Sequence, residues 1–200
     1  MTREIFLKSY WRYYLLLEEK FMQTINYVEL SEKNFPTYSI EYAYLLQTIG
    51  SELDTFFKVY CDFTLEESKT MKDYHPHVLG KYPEIVNQTI AVAEFSLTLT
   101  PFKDWNTQPL KWWKAYNSVK HNRYGNLSLA CLENVVNALS ALFLLELKYL
   151  KEIAERDDDF DRPDKESNLF TLPGWECNCV PASQAFLEYM KFYDRSNQSL

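Results

Sequence analysis

Glycine is scarce, with four in 200 residues, too few for the tight turns of a many-stranded fold or for a glycine-rich phosphate-cradling loop. The shortage favours helices. Histidine is rarer still at three, and His75, His77 and His121 lie far in sequence from Cys177-Asn178-Cys179. No metal-ligand spacing is therefore complete, and neither a metal nor another cofactor is expected. His75-Pro76-His77 reads as a loop and the Cys177/Cys179 pair as free thiols. Cys61 and Cys131 sit in apolar helical surroundings, and no cysteine spacing forms a disulfide framework. No run is long and apolar enough to cross a membrane, and Met1-Thr2-Arg3-Glu4-Ile5 lacks the apolar core of a secretory signal. The expectation is a cytoplasmic protein with no membrane partner.

What the chain does have is rings. Fifteen Tyr and thirteen Phe mean that much of the core must be aromatic, and each buried phenol needs a hydrogen-bond partner. The length suits one domain spanning residues 1–200. Acids outnumber cations, 28 to 21, for a net charge of −7, so the surface as a whole repels nucleic acid and any binding to it requires a local patch. One such patch exists. Lys103, Lys111, Lys114, Lys120 and Arg123 face only Asp104 across the same stretch.

The periodicity predicts an all-α helical bundle with a minor short strand or hairpin. Ile5, Tyr10, Tyr13, Tyr14, Leu17, Phe21, Ile25 and Val28 mark a first helix over about 3–33, which Asn34-Phe35-Pro36 stops. Ser39 caps a second helix over about 39–62, with the stripe Tyr42, Leu45, Leu46, Ile49, Leu53, Phe56, Phe57 and Tyr60. Gly50 in its middle implies close approach by a neighbouring helix. Glu52 and Lys58 flank the stripe, where they would supply an acid and a base facing the patch, or simply a solvated edge. A short helix is expected from Leu65 to Tyr74, then a turn from Pro83, then a strand over Phe95 to Thr100 in which apolar and hydroxyl residues alternate. A helix over about 109–122 carries the patch. The longest helix, from Asn126 or Leu127 to about Arg156, is apolar around much of its circumference and so belongs at the centre of a bundle, with Glu133 and Glu146 as exceptions. The core is expected over about 39–156, with an extension over 157–200 that includes a last helix near Ala182 to Tyr193.

The chemistry concentrates between Trp112 and Arg123. Helical spacing sets Trp112, Tyr116, Val119 and Arg123 on one face, Trp113, Asn117, Lys120 and His121 on the next, and Lys114, Asn117 and His121 along one edge. An imidazole titrates near neutrality. Cations beside it can hold a phosphate and the charge that builds on it during attack, and Asn117, one turn before His121, can orient the ring. This set suits metal-independent RNA cleavage, with His121, Asn117 and Lys114 as catalytic residues. Lys120 and Arg123 would then sit on the phosphate, with Glu52, Trp113 and Tyr116 in support.

Asn117-Ser118-Val119-Lys120-His121, just before a long apolar helix, resembles half of the motif of the HEPN (higher eukaryotes and prokaryotes nucleotide-binding) domains, an Arg followed after four to six residues by His. In the arginine positions this chain has Tyr116, Ala115 or Lys114, of which only Lys114 is cationic. The resemblance implies an all-helical, frequently dimeric fold over about 39–156 and binding of RNA or a nucleotide. It also implies the ribonuclease activity found in bacterial toxin and phage-defence systems, with a homodimer and an antitoxin-like protein as partners. The alternative is a non-catalytic interaction module whose polar cluster serves structure or dimerisation. A small-molecule enzyme has only an aromatic-rich pocket in its favour.

Overall fold

The computed structural model describes residues 1–92 and 94–175. Helices make up most of it, joined by a small three-stranded antiparallel sheet. No described helix is long and apolar enough to cross a membrane.

The N-terminal helical segment has three parts: α1 (Arg3–Phe6), a π-helical turn (Leu7–Trp11) and α2 (Arg12–Ile25). The π turn changes which residues face inward. Phe6 and Trp11, one wide turn apart, are both buried, whereas Ile5 from the predicted stripe is exposed. Hydrogen bonds of the i→i+5 kind hold both rings on one face, an arrangement that a 3.6-residue period does not foresee. The segment also ends earlier than predicted. The amides of Tyr27 and Val28 both bond to the Thr24 carbonyl, and the Thr24 hydroxyl bonds back to Phe21 O at 2.6 Å. A β-branched and amide-bearing run, Thr24-Ile25-Asn26, supports continued helix poorly.

Helix α3 (Ile40–Tyr60) begins as expected, with Ser39 Oγ accepting from the Tyr42 amide at 2.9 Å. Every residue of its predicted stripe is buried, and it packs on α7 (Leu132–Asp157) as the central pair of the molecule. Helix α7 starts later than the sequence suggested. A one-turn α6 (Arg123–Asn126) and a 3-10 turn (Leu127–Leu129) come first, leaving Leu129 partly exposed. Cys131 is extended and pairs with Tyr38. The carbonyls of Thr37 and Phe35 then take the Leu132 and Glu133 amides at 2.9 and 3.2 Å. Backbone from residues 35–37 thus satisfies two of the donors that a helix start leaves open. At the other end Asp158 takes a left-handed conformation and closes α7 where the acidic run begins.

Helix α4 (Met71–Lys81) corrects the expected loop at His75-Pro76-His77, for Pro76 lies inside the helix. Thr70 and Asp73 form a capping box at its start, with the Thr70 amide donating to Asp73 Oδ2 at 2.8 Å. The one bond that Pro76 removes belongs to the Lys72 carbonyl in the first turn, on an exposed residue where water can replace it. A 3-10 turn (Pro83–Asn87) leads into β1 (Ile90–Val92), the central strand, which pairs antiparallel with β2 (Leu97–Leu99) and β3 (Phe170–Thr171). Leu97 and Leu99 face the core as the alternation required, while Phe95 lies in the connecting turn. Helix α5 (Lys111–His121) follows. The expected helix near Ala182 to Tyr193 lies outside the described residues, as do Cys177 and Cys179.

Candidate functional site

Helix α5 is fixed from beneath by its aromatic face. Tyr116 lies against Gly50 of α3 so closely that a Cβ there would fall 2.3 Å from the ring. The absence of a side chain at Gly50 is what lets the two helices meet. Trp112 is buried and donates from Nε1 to Pro101 O at 2.8 Å. Trp113, half-buried, stands edge-on to Phe57 at 6.1 Å and tilted to Tyr116 at 5.1 Å.

On the outer side of Trp113 and Tyr116 a cleft of about 620 Å³ opens between α5, Asp54 of α3, and residues 68–72, where α4 begins. Asn117 and Lys120 complete its α5 wall, while Lys69 and Lys72 stand on the opposite one. Lys120 Nζ lies 5.3 Å from the centre of the Tyr116 ring, within reach of a cation–π attraction. Lys69 is more engaged, 2.8 Å from Glu67 and 4.2 Å from the centre of the Phe63 ring. Hydrogen bonding to Lys69, with the Thr64 amide next in importance, pulls the Glu67 carboxyl down to about 2. Lys72 is exposed and has no ion-pair partner among the described residues. The one carboxylate in the lining, Asp54, accepts from the Tyr74 hydroxyl at 3.1 Å and lies 3.9 Å from Lys58 Nζ. Three cations against one engaged acid give the cleft a positive bias within an acidic chain.

The predicted site residues divide. Trp113, Tyr116, Asn117 and Lys120 come together in the cleft. Lys114, His121 and Arg123 are exposed and outside its lining, and none of their side chains hydrogen-bonds to a described residue. Asn117 donates from Nδ2 to Trp113 O at 2.9 Å, one turn back on its own helix, and makes no bond to His121. Glu52 is elsewhere: its electrostatic neighbours are Tyr10 and Tyr13 of the N-terminal segment and Glu146 of α7. Lys58 instead joins Asp54 and donates to Leu65 O at 3.1 Å.

The linear positive patch is likewise dispersed. Lys111 pairs with Glu133 at 2.6 Å, and together with Lys103 it lines a different groove beside Asn134 and Asn137. Sequence reading missed Lys69 and Lys72. The available signal was Thr70-Met71-Lys72-Asp73, a capping-box pattern that announces a helix start with a lysine on each side of the threonine. Among the described residues no three His, Cys, Asp or Glu side chains gather closely enough to hold a metal ion. Such an arrangement can hold a ligand that combines an anionic group with a flat apolar one, the first on the lysines and the second against Trp113. No known protein family, curated protein or solved structure matches this chain.

Proposed function

We propose that this is a HEPN-like protein that binds RNA or a nucleotide in the cleft between α5 and the start of α4. The observation that carries the reading is the convergence of Lys69, Lys72 and Lys120 around Trp113 and Tyr116. Lysines placed on phosphates supply most of the affinity for a nucleic acid and make it salt-dependent. An accessible indole supplies a stacking surface that any base can use. The ribonuclease form of the proposal assigns proton transfer to His121, with Lys114 and Arg123 on the phosphate. It requires the ligand to extend beyond the cleft to the exposed end of α5. Activity as a homodimer, or restraint by an antitoxin-like partner, belongs to the same proposal.

Titration of a fluorescent single-stranded RNA at low salt tests the binding. Lys72→Ala and Lys120→Ala are each expected to weaken it and to reduce the salt slope by about one. Trp113→Ala is expected to cost about 1–3 kcal/mol. Equal affinity in wild type and the Lys72/Lys120 double variant overturns the reading. Incubation with RNA in chelator, beside His121→Ala, decides the catalytic part: cleavage by the wild type alone establishes it, and equal or absent cleavage removes it.

The second reading, a non-catalytic interaction module, draws on a separate surface. Tyr38, just before α3, and Ile40 and Tyr44 in its first turns are exposed at 53%, 70% and 49%, and Ile40 and Tyr44 lie one helical turn apart. This reading predicts a dimer or hetero-complex that Ile40→Lys disrupts while RNA binding stays unchanged.

A further inference from the structure

Glu146 lies in the middle of α7, fully buried, and neither of its carboxyl oxygens has a hydrogen-bond partner among the described residues. Among the described residues, the charge that acts on it is that of another acid, and phenols stand within electrostatic reach. Glu52 faces it from α3, Tyr10 from the π turn and Tyr14 from α2, and Tyr14 is itself held by Glu18. No cation is among the causes that shift it, and cations of the segments on either side of α7 have acids of their own. Arg162 pairs with Glu166 on the side of Phe143 and Leu147, Lys148 lies 3.5 Å from Glu84, and Lys81 is 3.1 Å from Glu152. An anion in such a place has no counter-charge and no bonded donor among the described residues, whereas a neutral acid loses far less on leaving water.

We propose that the folded protein keeps Glu146 as a neutral acid, and that loss of this proton loosens the N-terminal segment of α1, the π turn and α2 from α3 and α7. The segment is where the strain would be relieved. It supplies Tyr10 and Tyr14 to the site, and its π turn is an irregular stretch between α1 and α2, whereas α3 and α7 are uninterrupted helices. Burial is the main cause that holds Glu146 well above the ordinary carboxylate range, and the charge of Glu52 adds to it. Burial also raises Glu52, which keeps a route to solvent and ionises first.

The direction of the pH effect follows. Below the range where a free glutamate titrates, about 4.3, folded and unfolded chains both carry the proton. Above it the unfolded chain releases its proton while the folded chain retains one, so stability falls as pH rises until folded Glu146 also ionises.

Urea unfolding of the full chain across about pH 5 to 9, beside Glu146→Gln, tests this. The folding constant of Glu146→Gln relative to wild type is expected to rise with pH, by at most about tenfold per unit. Amide exchange over residues 3–25 should also accelerate with pH more in wild type than in the variant. A second measurement does not depend on the variant folding. With isotope-labelled glutamate, the infrared carbonyl band of a neutral carboxyl should be present in the wild type at pH 7. It should survive in Glu52→Gln and, where Glu146→Gln folds, be absent there. Parallel stability curves overturn the proposal, and so does the absence of that band in the wild type.

Discussion

Glu18 and Glu146 are both removed from solvent, at 1% and 0% exposure, yet their surroundings could hardly differ more. Around Glu18 the chain closes a ring of donors. Tyr14 donates its hydroxyl at 2.5 Å, Ser167 donates through Oγ, and the amides of Asn168 and Leu169 approach at 3.0 and 3.4 Å. The donors come from residues far apart in sequence, so the carboxylate ties the stretch leading into β3 back onto α2. Around Glu146 no donor is bonded: among the described residues neither carboxyl oxygen has a hydrogen-bond partner. Equal burial therefore has opposite effects, for a carboxylate surrounded by donors acts as a tether while one without donors is a cost borne by the fold.

Removing the tether should have the largest effect. Glu18→Ala strands several buried donors, each worth about 1–3 kcal/mol, for an expected loss of roughly 3–5 kcal/mol in urea unfolding at pH 7. A loss below about 1 kcal/mol would place Glu18 among exposed surface acids and erase the contrast. The opposite sign is expected at the other site. Glu146→Leu replaces an unpartnered acid by a side chain of similar reach in an apolar setting and should stabilise by about 1–3 kcal/mol at pH 7. The gain should shrink as pH falls through about 4.3, where the unfolded reference takes up its proton.

Much of the helical frame can be read from the chain, because the stripe of α3 and the apolar surface of α7 repeat at the helical period and tertiary packing agrees with them. Gly50 is readable for the same reason: a glycine in a strong helix marks a close neighbour, and Tyr116 is that neighbour. Features that depend on contacts between distant residues are not readable. The π turn displaces the buried stripe of the first helix, and backbone carbonyls from residues 35–37 cap α7 where no side chain does. The cleft is half readable. Trp113, Tyr116, Asn117 and Lys120 lie within one helix, but Lys69 and Lys72 join them only because the chain after α3 sets the start of α4 opposite α5. Glu146 is legible as an acid within an apolar helix, but Glu52 has little individual signal, since an acid beside an apolar stripe is usually a solvated flank, and only the facing helices determine what either one meets.

The finest distinction lies within the tether itself. The Ser167 hydroxyl donates to Glu18 and also accepts from the Phe170 amide at 2.8 Å, with the Leu169 amide at 3.3 Å. Ser167→Ala therefore removes one donor from the carboxylate and one acceptor from the turn, but leaves Tyr14 and two amides on Glu18. Its expected cost is about 1–2 kcal/mol, well below that of Glu18→Ala. If the hydroxyl acts through Glu18, the double variant should cost less than the two single changes added, by roughly 1 kcal/mol or more. Strict additivity in that cycle would mean that Ser167 serves the turn into β3 alone, and that the hold on Glu18 rests on Tyr14 and the backbone.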